Sequence, residues 1–300
     1  MIANLPQLLW NMKPASTGTR GSIGGNVPAK YPVKSLAKAL HLLDTVGRYQ
    51  SGTSIAVLSK ELKMGKSTVH RLLATLREFD LVWFDPSTSN YALGARILCW
   101  SDLLVKQNLL VRHGMPILRE LVNVSRETAN LAVLEGTEVL YVAQIESMER
   151  LRMSEAIGNR VPAHSTALGK ALLATLPDEE FDELYRNVDK LEAITAHTIT
   201  DKQRLKEHLQ KVRQDGVAYD FEENENGVVC MGTVVRNHTR QPVAAMSISM
   251  PIQRLRGENL ITSKEHLLNA ANRLSAELGY DSRAVRSDVS HETAPAEAAG

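Results

Sequence analysis

Cysteine is almost absent. Cys99 and Cys230 are the only two in 300 residues, too few for a disulfide framework and in no zinc-ligand spacing. A reducing compartment suits both. No stretch approaches the ~20 apolar residues that a membrane span requires, and the opening Ile2 to Met12 has neither a basic start nor a small-residue cleavage site. A cytoplasmic protein with no membrane partner is expected. Also missing are a Walker motif, a dinucleotide fingerprint, a nucleophile elbow and an HExxH pair, so no cofactor or metal is expected. The glycine-rich stretch Gly18 to Gly25 follows no strand and opens no helix, which makes it a poor phosphate loop.

The remaining composition, 43% hydrophobic and 23% charged, is that of an ordinary globular protein long enough for two domains. The net charge of +1 hides an asymmetry. Lys30 to Leu93 holds nine basic against five acidic residues, whereas everything from Gly94 onward holds 24 against 29. A basic module on an acidic body favours binding a polyanion through the first part, with affinity that falls as salt rises.

Within that basic part, Val69, Leu72, Leu73 and Leu76 recur at i, i+3, i+4 and i+7 and predict a helix with one buried face. Lys66, Ser67, Thr68, His70, Arg71, Ala74 and Thr75 lie off that stripe. Small and hydroxyl residues beside a cation suit a major groove, where Arg pairs with guanine and Ser or Thr meets base edges or phosphate. Taken alone, such a face is more often simply solvated, but its neighbours favour the DNA reading. Ile55, Leu58 and Leu62 form a short helix that Ser54 can cap, Lys63-Met64-Gly65 supplies a turn, and Ser35 can cap a helix carrying Leu36, Leu40, Leu43 and Val46. Leu81 to Phe84 and Tyr91 to Leu93 read as a hairpin whose polar loop is a wing. Ser87 and Ser89 there, like Lys34 and Ser35, are candidate backbone contacts. The order is that of a winged helix-turn-helix over residues 30–94, with double-stranded DNA as partner.

Residues 1–29 read as a flexible arm and 287–300 as a disordered tail. Between the domains, 95–111 is a strongly apolar helix in which Ile97, Leu98, Trp100, Leu104 and Val105 call for a partner. A dimer is expected, since paired modules read half-sites about 34 Å apart. Residues 112–286 alternate strand-like and helical runs. A helix through Val124 precedes Thr128–Leu134 and Glu138–Ile145 as a hairpin. Helices follow at His164–Leu176, Asp178–Tyr185 and Asp201–Asp215, the last opened by a Thr200-to-Gln203 capping box. Strands at Val228–Val235 and Pro242–Met250 precede a helix over Ser263–Leu278 with a Thr262-to-Glu265 box. The expected class is therefore α+β with two domains.

Several of these segments resemble the isocitrate-lyase-regulator (IclR) family over roughly Tyr31 to Tyr280. Its amino-terminal pattern is matched by Val33-Lys34-Ser35-Leu36, Lys38-Ala39-Leu40, Leu43-Asp44, Lys66-Ser67-Thr68-Val69 and Arg71-Leu72-Leu73. Its second-domain pattern is matched by Gly216, Asp220, Glu223, Cys230, Gly232, Val235 and Asn237, with Arg236 standing where Phe, Tyr or His is usual. Pro162 to Ala171 and Ala244 to Ser249 are similar as well. The resemblance implies a GAF-like second domain, an antiparallel sheet flanked by helices, that binds a small organic acid or aromatic carboxylate and alters DNA binding by a dimer or tetramer. It places Met153, Ala167, Leu168, Asp220, Val228, Cys230, Ser247 and Ser249 at the pocket. The residues fit that use. Ser247 and Ser249, two apart on a strand, point the same way, and a helix starting near Ser165 would aim the amides of Thr166, Ala167 and Leu168 at an anion. Ala167-Leu168 is bulkier than the Gly-Ala of members that take small keto acids.

Two rival readings use the same residues. In one, the second domain only assembles a constitutive DNA binder. In the other, Cys230 is a nucleophile with His164 as base and Asp220 orienting it. A lone buried Cys is otherwise a small hydrophobe, His164 a structural histidine and Asp220 a turn residue.

Overall fold

The computed structural model describes residues 33–281 apart from Arg256, and the side chains of Val105, Glu258 and Asn259 are not described. The expected arm 1–29 and tail 287–300 lie outside the described residues. The chain divides into two compact units between Asn108 and Leu109.

The first unit runs α1 (Lys34–Gly47), α2 (Ile55–Glu61), α3 (Lys66–Glu78), β1 (Val82–Asp85), β2 (Asn90–Leu93) and α4 (Arg96–Gln107). Leu42, Val46, Leu58, Val69, Leu73 and Leu76 interdigitate with Val82 and Tyr91 to form its core. In α1 the inward stripe is Ala39, Leu42, Leu43 and Val46, so Leu36 and Leu40, expected inside, are exposed at 58% and 52%. Both stripes are apolar, and periodicity alone cannot choose between them. Ser35 is not a cap: the helix begins at Lys34, the flanking Val33 makes no side-chain cap, and Ser35 lies in the first turn. Ser54 does cap α2, accepting from the Val57 amide. In the turn before α3, Lys63 adopts the left-handed backbone (φ 50°) and not Gly65 (φ −61°). The Ser59 hydroxyl donates to the Met64 carbonyl at 2.6 Å and closes that turn.

None of α4's described residues is buried. Leu98, Trp100, Leu103 and Leu104 are all more than half exposed. The helix ends at Asn108 in extended backbone, and α5 (Leu109–Ser125) belongs to the second unit. That unit starts upstream of the expected residue 112, because Leu110 and Val111 already lie in its core.

The second unit continues with β3 (Thr128–Glu135), β4 (Glu138–Ile145), β5 (Arg160–Pro162), a 3-10 turn at Ala163–Ser165, α6 (Ala167–Leu173), α7 (Asp178–Leu184), α8 (Lys202–Asp215), β6 (Ala218–Phe221), β7 (Val228–Arg236), β8 (Pro242–Pro251) and α9 (Gly257–Glu277). Its strands form one antiparallel sheet in the order β5-β4-β3-β8-β7-β6. The two-residue alternation of β7 and β8 sorts their side chains between two layers. Val229, Met231, Met246, Ile248 and Met250 pack against α5 and α9 on one face, while Ala245 and Val234 join α6, α7 and α8 on the other. Three expectations change. Asp201, not Thr200, caps α8 by accepting from the Arg204 amide at 2.8 Å. The helix expected from His164 begins with a 3-10 turn and is capped by Thr166. α9 starts at Gly257, ahead of the expected Thr262 box. Among the described residues no helix is long and apolar enough to cross a membrane.

α6 lies unusually close to its neighbours. A Cβ on Gly169 would stand 2.1 Å from the Ala163 carbonyl oxygen, and one on Gly232 would stand 2.8 Å from the Ala167 carbonyl group. Backbone cannot yield there as a side-chain tip can. Gly232→Ala should therefore destabilise the second unit by about 1-3 kcal/mol through overpacking, measured as a lower urea midpoint at unchanged slope.

Candidate functional site

Two polar rows cross the sheet on the α6 face. Asp220, Cys230, Ser249 and Thr128 are successive cross-strand partners on β6, β7, β8 and β3, and Gly232, Ser247, Asn130 and Gln144 are partners on β7, β8, β3 and β4. Buried polar groups need partners, and here they find one another. The Asn130 amide reaches the Ser247 and Ser249 hydroxyls at 3.2 and 3.1 Å, and the Cys230 thiol donates to Ser249 Oγ at 3.1 Å. The Gln144 amide stands 2.7 Å from Asn130 Oδ1 and, in the opposite orientation, pairs instead with the Glu155 backbone carbonyl and amide at 3.0 and 2.8 Å. Thr128 donates to the Met153 carbonyl at 2.7 Å, which ties the 153–155 segment across the sheet.

These groups wall a cavity. Met153, Asp220, Val228, Cys230 and Ser249 line it together with Asn130, Tyr141, Gln144, Ser154, Glu155, Thr166, Asn224 and Glu225. The other three expected pocket residues stand elsewhere. Ser247 is buried behind Asn130, and Ala167 and Leu168 are buried under the wall, with Leu168 in the α6 core. Helical geometry turns their side chains away, and Thr166 takes the place at the wall while its hydroxyl accepts from the Gly169 amide at 3.0 Å. The amide that this cap takes is Gly169's, which is not among the Thr166, Ala167 and Leu168 amides expected to seat a carboxylate.

Charge is concentrated beside the cavity. Lys170, fully buried on α6, donates to Glu223, whose second carboxylate oxygen has no hydrogen-bond partner among the described residues. Asp220 accepts from the Glu223 amide at 2.7 Å, yet burial outweighs both this bond and Lys170 and pushes its carboxyl up to about 7. Burial likewise raises the Cys230 thiol, with Asp220 adding to the rise. His164 pairs with the Glu192 carbonyl at 2.9 Å and is absent from the wall. A thiol held protonated beside no histidine is poorly suited to nucleophilic attack.

In the first unit Lys34, Ser35, Lys66, Ser67, Thr68, His70, Arg71 and Thr75 are all exposed, the last six along α3. The wing differs from expectation. Ser87 and Thr88 donate their hydroxyls to the Asp85 carboxylate at 2.7 and 2.8 Å, and these bonds hold that carboxyl below its usual range. Ser89 is exposed at the turn's left-handed position (φ 55°).

The pattern described as "IclR helix-turn-helix domain" matches residues 35–86, and that described as "Bacterial transcriptional regulator IclR C-terminal" matches residues 103–276. The chain belongs to the IclR family. It is 32% identical over 270 residues, 89% of this chain and 97% of the relative, to the transcriptional repressor IclR of Escherichia coli (strain K12). It is 34% identical over 248 residues, 83% of this chain and 81% of the relative, to the HTH-type transcriptional regulator KdgR of Dickeya chrysanthemi. The crystal structure of Thermotoga maritima IclR superposes with a TM-score of 0.74 at 27% identity, covering 83% of this chain and all of that one. As an IclR-family member the protein is a DNA-binding transcriptional regulator.

Asp220 gives a pH test. Its folded pKa, about 7, lies above the unfolded 3.8. The stability it contributes is therefore complete below the unfolded value and is lost as pH rises toward 7. Asp220→Asn should remove that slope, raising the melting temperature over the wild type more at about pH 8 than at about pH 5.

Proposed function

We propose that this protein is a ligand-controlled DNA switch. Lys66, Ser67, Thr68, His70, Arg71 and Thr75 meet the major groove, Lys34 and Ser35 meet phosphate, and a small molecule in the second unit's cavity sets operator affinity. The observation that carries the sensing half is the cavity wall itself. It exposes hydrogen-bonding groups that the fold has not spent, in a family whose members carry the names repressor and regulator. The chemistry at Cys230 and His164 supports binding and not catalysis. A second copy of the chain is the partner for α4: a helix with no buried described residue and four large apolar side chains in water gains by pairing, and a paired module reads two half-sites. Ser87 contributes little, because its hydroxyl already serves Asp85, while Ser89 is left to meet the backbone.

Ligand binding shifts the switch only if it favours one of two states, so an effector must change operator affinity as well as stability. Arg71→Ala should cost about 1-3 kcal/mol of operator affinity and relax preference at one base pair, measured by fluorescence anisotropy on a substituted duplex set. A loss equal across all sequences would make Arg71 a phosphate contact. Trp100→Glu with Leu104→Glu should shift the protein toward monomer in sedimentation and weaken operator binding, with the second unit's melting unaffected. An unchanged sedimentation coefficient would remove α4 from the interface.

A further inference from the structure

The cavity wall is rich in acceptors and poor in cations. Asp220, Glu155 and Glu225 all line the cavity, and they add to the rise that burial chiefly gives the Cys230 thiol and the Tyr141 phenol. Among the described residues no Lys or Arg lines it; Lys170 is fully buried behind it and engaged by Glu223. Two wall groups are more than nine-tenths buried and unspent. Tyr141 is 7% exposed, and its hydroxyl has no hydrogen bond among the described residues. Asp220 is 2% exposed, and one of its oxygens takes the Glu223 and Asn224 amides while the other takes none among the described residues.

A buried acceptor left unpaired costs about 1-3 kcal/mol, so the ligand this wall favours brings donors to it. A simple carboxylate brings only acceptors and a charge that Glu155 and Glu225 oppose. An aromatic acid finds apolar wall only at Met153, Val228, Cys230 and the Tyr141 ring, among a lining that is otherwise polar side chains. Asn130 is spent on Ser247, Ser249 and Gln144. The Thr166 and Ser249 hydroxyls, which accept within the fold, keep a proton to give, Ser154, which donates to Glu146, keeps an acceptor, and the Asn224 amide, whose oxygen accepts from Ser165, keeps its donors, which is the mixture that adjoining hydroxyl groups require.

Resting on the sensor reading above, we infer that the effector is a polyhydroxylated small molecule of the sugar class, recognised through hydroxyls that donate to Asp220 and its neighbouring acceptors. Neutral sugars and alditols carry that chemistry, and so do sugar acids. The carboxylates on the wall favour the neutral forms.

The test uses the full-length protein with three sets of compounds at matched chain length: aldoses and alditols, the corresponding aldonates, and acids without hydroxyls such as 2-keto acids and benzoates. Calorimetry reads binding, and anisotropy of an operator duplex reads the response. A hydroxylated compound should bind and change operator affinity. An alditol that outbinds its aldonate identifies a neutral ligand, and the reverse order identifies a sugar acid; either supports recognition through hydroxyls. Asp220→Asn should weaken that binding about tenfold or more, and Glu225→Gln, at an exposed position whose change leaves the core intact, should narrow the gap between alditol and aldonate. Binding confined to acids without hydroxyls overturns the inference and leaves the sensor reading standing. No binding in any set, with operator affinity unmoved, overturns both.

Discussion

The second unit depends on how closely α6 lies against β7. Gly232 on the strand puts no side-chain atom between the two, and Gly169 on the helix likewise lets the Ala163 turn lie against α6. That approach buries Lys170 completely, which obliges the fold to supply Glu223 from the β6–β7 connection, since an unpaired buried ammonium is among the costliest things a core can hold. The same connection presents its Glu223 and Asn224 amides to Asp220 and so fixes that carboxyl at the cavity wall. Thr166 at the helix start and Cys230 on the strand are brought to the wall by the one contact. Close backbone packing, a buried ion pair and a polar cavity are therefore a single constraint seen at three places.

The sheet divides its two faces by chemistry. The α5 and α9 side is predominantly apolar and holds the larger of the second unit's two hydrophobic clusters. The α6 side accepts two polar rows because their members find partners, Cys230 and Ser249 with each other, Ser247, Ser249 and Gln144 with Asn130, and Asp220 with the Glu223 and Asn224 amides. Such a network is tolerable in a core only when nearly complete. The groups left over, the free oxygen of Asp220 and the Tyr141 phenol, are those facing the cavity, where a ligand can reach them.

Legibility in the sequence followed the strength of the local signal. The α3 stripe was plain because Val69, Leu73 and Leu76 are apolar and their opposite face is not. The inner face of α1 was not, because Leu36 and Leu40 compete with Ala39 and Leu42. β6 was hidden by an inverted pattern: Asp220 points into the protein and Phe221 is exposed, so a real alternation reads as none. Asn130 and Gln144 were missed although each is a polar residue inside an apolar strand, a signal available in principle. Their role appears only when β3 pairs with a strand more than a hundred residues away. Family resemblance carried Met153, Val228, Asp220, Cys230 and Ser249 to the wall, where periodicity could not have placed them. It also carried Ala167 and Leu168, whose side chains the first turn of α6 directs into the core.

The central claim is that the DNA-reading helix and the cavity belong to one switch, and linkage makes such coupling reciprocal: if a ligand in the cavity changes operator affinity, operator binding changes the cavity. Hydrogen exchange of the full-length protein with and without an operator duplex tests this without knowledge of the ligand. Altered protection is expected both along α3 and in residues 220–230 at the cavity wall. Altered protection confined to residues 34–107, with β6, β7 and their connection unmoved, would contradict it.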